Sequence, residues 1–424
     1  MQITENEIKS KINWGKVIQE LLFTIILPPI IGLPRLIVNA TKINSDDKTK
    51  YLTYIICISA LVATIIATKP PTGDQVSYSM AYKNVPNQGF VGSLINIYGY
   101  QYAYEETRTH ISAEFMNGIY NFVGYYVTFG YYPLFVFFYF TIEFSLIGMG
   151  LYHYLRNLEK PTIPIVSGMM ILLFFYLFFL MCSQLQKQYM GQAIMMYVLG
   201  RYADRRGLDK KLWIMTAMSV FTHQSMLLFV PFLIFKPISK RLTRKSLMLL
   251  IGFVFIFVAI GPRLAGDIIS NVDNTNKSVL TYGVGRLANA EEANDGGVMD
   301  ILQFIVVCVP ILYILFKKLW IERKTISDHN AFMLNISLLL IVVVVAMSSF
   351  PLMQYRYFNT TFLLLPFIYP FMFTRISTRD VFLKVLGLVM IFSLMATIGS
   401  TGRAYAPLVN LVCEPPVLLI AGIF

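Results

Sequence analysis

Residues 184–231 read QLQKQYMGQAIMMYVLGRYADRRGLDKKLWIMTAMSVFTHQSMLLFVP, and three features crowd into this one stretch. A polar knot (Gln184, Gln186, Lys187, Gln188, Gln192) opens it, a strongly basic turn divides it, and a histidine among hydroxyl and amide side chains closes it. The rest is apolar enough to sit in lipid. Polar groups at membrane depth are costly, so they face a buried partner or a functional cavity.

The whole chain agrees with that reading. Of its 424 residues 56% are hydrophobic and only 14% charged, against roughly 25% charged in soluble domains, and its mean hydropathy is +0.61. Apolar runs long enough for a hydrocarbon core of about 30 Å recur along it. The backbone inside lipid must satisfy its own hydrogen bonds, so the fold class is an all-α, polytopic transmembrane helical bundle. The net charge of +12 does not indicate nucleic acid, because the Lys and Arg residues sit in short loops between apolar runs. Cys57, Cys182, Cys308 and Cys413 have no metal or redox spacing, and residues 1–16 carry no cleavable-signal pattern.

Spans are expected at 51–68, 132–154, 163–182, 189–200, 247–261, 301–316, 331–350, 358–373 and 381–400. Run 17–39 is interrupted by Pro28, Pro29 and Pro34 and reads as a kinked span or an interfacial element. The four loops richest in Lys and Arg, 201–211, 236–245, 317–324 and 375–384, read as cytoplasmic. Segment 212–235 then begins and ends on one side, which predicts a re-entrant hairpin turning near Thr222, His223 and Gln224, each arm about 17 Å long. The chain is expected to be one polytopic domain over 1–424, with large outer-face loops at 69–131 and 262–300 and outer turns at 184–188 and 349–359.

Candidate site residues come from those outer pieces. Asp74, Tyr78 and Tyr82 recur every four residues, one stripe of a helix with Asp74 placed as N-cap. The stripe reads either as a surface helix with tyrosines in the aromatic belt, or as a carboxylate and rings that orient and stack on sugars. Glu106, His110 and Glu114 also recur every four residues, and their alternating charges read as a solvated helix face. Lys187, Arg286 and Arg356 read either as snorkelling or solvated cations or as clamps on phosphate. His223, with Thr222, Gln224 and Ser225 as neighbours, reads as a satisfied core histidine or as a base at the hairpin tip. No GxGxxG or Walker pattern is present, and no metal triad is claimed.

Taken in order, Gly73-Asp74 with Tyr78, GYYPLF at 130–135, LQKQYMGQA at 185–193, FTHQSMLLFVP at 221–231 and QYRYF at 354–358 resemble the EpsG-like branch of the Wzy-type polysaccharide repeat-unit polymerases. Two positions depart from that family's pattern: Lys187-Gln188 where members often carry Arg-Gln, and Tyr132 where they often carry Glu. The resemblance implies an integral-membrane glycosyltransferase of the bacterial plasma (inner) membrane, its active site facing the periplasm or exterior. It would move a growing glycan from undecaprenyl diphosphate to the non-reducing end of a lipid-linked oligosaccharide repeat unit. Lys187, Arg286 and Arg356 would then bind the diphosphate, Asp74 and His223 would act as base or orienting group, and Tyr78, Tyr82 and Gln188 would hold glycan, with no metal or bound cofactor. The bilayer, a chain-length regulator and a flippase are the partners it implies; nucleic acid is not one. An O-antigen ligase is the near alternative. A lipid-linked glycan flippase would show inverted repeats of span pattern, and a membrane O-acyltransferase would gather its cations around a cytosolic entry.

Overall fold

Several helices begin where a short polar side chain accepts an otherwise orphaned backbone N–H. Asn13 Oδ1 accepts from Lys16 N at 3.1 Å, Asp47 Oδ1 from Lys50 N at 3.0 Å, and Asp209 Oδ1 from Leu212 N at 2.8 Å. The computed structural model describes residues 12–43, 47–95, 112–205, 207–252, 255–256, 260, 298–347, 351–400 and 406–422. Among them all regular structure is helical. Among the described residues, four helices are long and apolar enough to cross a membrane: Lys48–Ala67, Tyr132–Leu155, Asp328–Val345 and Ile376–Ile398.

The chain forms two compact units. The first holds 1–202, 208–229 and 375–424. Its helices include α1 (Trp14–Ile26), α2 (Pro29–Thr41), α3 (Lys48–Ala67), α4 (Asp74–Lys83), α5 (Val85–Ile95), α6 (Met116–Val127), α7 (Tyr132–Leu155), α8 (Thr162–Phe174), α9 (Tyr176–Gln184), α10 (Gln186–Arg205) and α11 (Lys210–Thr222). The proline-broken first run is two 13-residue helices separated at Leu27–Pro28, and Arg35 pairs back onto Glu20 at 2.9 Å. The expected span 163–182 breaks where Phe175 turns extended (ψ 112°). The expected short span 189–200 is instead a 20-residue helix that starts within the polar knot. Asp74 is not an N-cap: Gly73 takes that place at φ +58°, a conformation open to glycine, and Asp74 is the first helical residue, favourable against the helix dipole.

Long-range contacts fix the directions of the helices. Tyr51 packs on Tyr152 at 5.2 Å between ring centres, so α3 and α7 are antiparallel. Tyr51 OH donates to Thr162 Oγ1 at 2.8 Å, and Thr162 Oγ1 donates to Ile43 O at 3.0 Å. Arg201 lies 3.3 Å from the His153 ring, and Arg379 Nη2 donates to Lys160 O. One end of this unit therefore gathers Lys50, Arg156, Lys160, Arg201 and Arg379. The opposite end carries Lys69, Gly73, Tyr132 and Gln184. About 30 Å of α3 separates the two ends.

Helices α7 and α10 run parallel at backbone contact. A Cβ on Gly200 would stand 2.1 Å from Gly150 O, and one on Gly150 2.4 Å from Met196 O. Small residues allow such approach between membrane helices. Gly200→Ala is expected to push the pair apart and cost about 1–3 kcal/mol, read as a lowered melting temperature of the detergent-purified protein; an unchanged melting temperature would deny the close packing.

The second unit holds 203–207 and 230–374. Its basic loops lie side by side: Arg241 reaches Lys324 O at 3.0 Å and Arg323 reaches Leu242 O at 3.1 Å. Asn335 Nδ2 ties the first of these loops down through Ile238 O and Lys240 O, at 2.8 and 3.0 Å.

Candidate active site

Leu185 leaves helical geometry (ψ 46°), so α10 starts afresh at Gln186 and puts Gln186, Lys187 and Gln188 in its first turn. All three are buried, with Lys187 only 6% exposed. A buried ammonium requires a partner, and the Glu114 carboxylate supplies it: Lys187 Nζ pairs with Glu114 Oε2. The other oxygen, Oε1, accepts the Gln224 backbone N–H at 3.1 Å and stands 3.8 Å from His223 Nε2.

The start of α6 clamps the end of α11 around this cluster. Helix α11 stops at Thr222 because His223 is extended (φ −152°, ψ 122°). The Thr222 carbonyl left over at the helix end accepts from Asn117 Nδ2 at 2.8 Å, Tyr120 OH donates to Thr222 Oγ1 at 2.9 Å, and Phe115 packs on Phe221. His223 Nδ1 accepts from Ser225 N at 3.3 Å and lies 2.6 Å from Ser225 Oγ. Its neutral tautomer then carries the proton on Nε2, which faces Glu114. From the α10 side, Ser219 Oγ donates to Gly191 O at 2.7 Å. The helix break falls where the sequence placed a turn.

A second cation stands at the same end. Lys69 Nζ donates to Ser183 Oγ at 3.1 Å, one residue before Gln184, and burial pushes its pKa down. Gly73 packs against the Gln184 side chain, 3.9 Å from an added Cβ, which brings the N-terminus of α4 to the α9–α10 turn. The N-termini of α4 and α10 thus meet at this turn, and Lys69 and Lys187 lie at the same end of the unit, one bonded to Ser183 and the other to Glu114. Backbone N–H groups and positive charge so arranged suit an anion.

Of the residues singled out from sequence, Lys187 and His223 meet at Glu114, and Gln188 is buried in the same first turn of α10 as Lys187. Asp74 is exposed at the start of α4. Tyr78 is buried, and Tyr82 is fully buried, its ring 4.7 Å from that of Phe135 and its hydroxyl donating to Thr128 Oγ1 at 2.6 Å. Arg356 is half-buried in helix Pro351–Ile368 of the second unit. Arg286, Glu106 and His110 lie outside the described residues. The sequence reading missed Glu114 and Lys69. The four-residue spacing of Glu106, His110 and Glu114 predicts a solvated face, whereas the Glu114 side chain is only 14% exposed.

The sequence profile of the EpsG family matches residues 53–410. That range takes in Lys69, Glu114, Lys187, His223 and Arg356. No curated protein and no solved structure matches.

Proposed function

The chain belongs to the EpsG family, and from that premise we propose that it is a membrane polysaccharide polymerase whose transfer centre is the Lys187–Glu114–His223 cluster. The observation that carries the proposal is the position of this buried cluster, at the end of the first unit opposite its basic loops. Positive loops favour the cytoplasm, so the cluster faces the exterior of the plasma membrane. By the same rule the Lys- and Arg-rich loops 236–245 and 317–324 are cytoplasmic, and we take segment 212–235 as re-entrant on that ground.

The donor is a glycan on undecaprenyl diphosphate, and the acceptor is a hydroxyl at the non-reducing end of a lipid-linked repeat unit. That hydroxyl attacks the anomeric carbon. The bond from this carbon to the diphosphate oxygen breaks, and the lipid diphosphate leaves with the electron pair. Lys187 and Lys69 stabilise the charge that develops on the leaving group. A diphosphate competes with Glu114 for Lys187, and the carboxylate so released accepts the hydroxyl proton. His223, with its proton on Nε2, orients that carboxylate and hydrogen-bonds the acceptor. Asp74, exposed at the mouth, orients a sugar hydroxyl, and Tyr78 and Gln188 shape the glycan end of the site. Arg356 and Arg286 stay as phosphate-binding candidates on the strength of the sequence.

Deletion in the native host tests this reading. The surface glycan should shrink to a single repeat unit; its complete absence would point to export or ligation and would overturn the polymerase. A cysteine at Lys240 should resist an impermeant thiol reagent applied outside, and labelling there would invert the topology.

A further inference from the structure

Gln75 lies on α4, two residues after Gly73, and is fully buried. Neither its Oε1 nor its Nε2 has a hydrogen-bond partner. The same holds for the Tyr132 hydroxyl, which lies against the Gln75 side chain, and for Oε1 of the buried Gln186. All these atoms are closed to solvent. Burying a polar group without a bond is costly, so a gathering of such groups marks a place that something outside the chain completes.

The helices that carry these groups meet beside the transfer cluster. Gln75, Tyr78 and Tyr82 share the buried face of α4, and the Tyr82 ring stands 5.4 Å from that of Tyr132. Tyr132 and Tyr139 lie about two turns apart on one face of α7, and Tyr139 OH donates to Gln186 O at 3.3 Å. Gly73 against Gln184 joins α4 to the same turn. Gln186 immediately precedes Lys187, so the unpaired amides and phenol adjoin the residues assigned to the chemistry. Phe135, between the rings of Tyr82 and Tyr139 at 4.7 and 5.7 Å, completes an aromatic wall.

We infer that Gln75, Tyr132 and Gln186 form a subsite for a sugar of the lipid-linked repeat unit, an inference that rests on the polymerase reading. The chemistry of the unpaired atoms selects the ligand. An amide offers an acceptor and donors, and a phenol offers both; sugar hydroxyls also donate and accept. A phosphate would meet Gln75 Oε1 and Gln186 Oε1 as repelling acceptors, and a lipid chain would satisfy none of the three side chains. The aromatic wall suits the apolar face of a pyranose. A sugar reaches the closed groups when α4 lifts from the α9–α10 turn, and Gly73, at φ +58°, is placed as the hinge.

Gln75→Leu and Tyr132→Phe test the inference, since each removes unpaired polar atoms at nearly constant shape. The full-length protein in vesicles is supplied with the undecaprenyl-diphosphate-linked repeat unit of the native host. Each variant should raise the half-saturating concentration of that substrate by about 5- to 10-fold, the scale of one neutral hydrogen bond, with the loss there rather than in the maximal rate. The melting temperature should hold or rise, because a desolvation cost is removed and no bond is lost. An unchanged half-saturating concentration, while the native chain still builds its ladder of glycan lengths, would overturn the subsite and leave the polymerase standing. A lowered melting temperature with unchanged half-saturation would overturn it too, and would assign the groups to structural water. No ladder from the native chain would overturn the polymerase reading itself.

Discussion

Lys187→Met alone should destabilise the protein by about 3–5 kcal/mol, because it strands the Glu114 carboxylate in a buried place. Glu114→Gln alone should cost a similar amount, with the ammonium left uncompensated. The double variant Lys187→Met/Glu114→Gln removes both charges and should recover most of the lost stability, since replacing a buried pair by neutral groups is often close to neutral. It should still make no polymer. Thermal denaturation of the four proteins gives the coupling directly. Additive losses would show that the pair is solvent-screened and that the cluster is not a buried unit.

His223→Ala should reduce polymer formation by roughly 10²–10⁴-fold, the scale for a positioned acid–base group, with the protein still in the membrane. The Asn117 and Tyr120 bonds to Thr222 hold the end of α11 without using the imidazole, so the fold should survive. His223→Gln keeps an N–H donor near the Nε2 position and should retain part of the activity if the histidine acts as an orienting donor. Equal loss in both variants would instead make the imidazole itself the proton acceptor. Full activity in His223→Ala would remove the residue from the site.

Local patterns announced those parts of the fold that depend on local physics. Tyr132–Leu155 is long and apolar enough to cross a membrane, and the polar knot at 184–192 stands out because it interrupts an apolar region. The break at His223 was legible because amide and hydroxyl side chains cluster there. The interruption at Phe175 carried no such mark, since no proline or glycine sits between α8 and α9. Asp74 looked like a cap because its type favours that role; the positive φ of Gly73 moved the cap one residue earlier. Glu114 shows the limit most clearly. Charges four apart describe a solvated face unless a distant group removes one of them from water, and here the partners, Lys187 and Gln224, are 73 and 110 residues away. Lys69 was hidden in the same way, by a bond to Ser183 across 114 residues. The glycine contacts of α7 with α10 likewise depend on which helices meet.

The most direct test of the central claim is turnover by purified protein in vesicles, supplied with an undecaprenyl-diphosphate-linked repeat unit and read as a ladder of glycan lengths. The native chain should extend the substrate beyond one unit and release undecaprenyl diphosphate, whereas the folded Lys187→Met/Glu114→Gln variant should leave it unextended. A full ladder from that variant would place the transfer chemistry elsewhere in the protein.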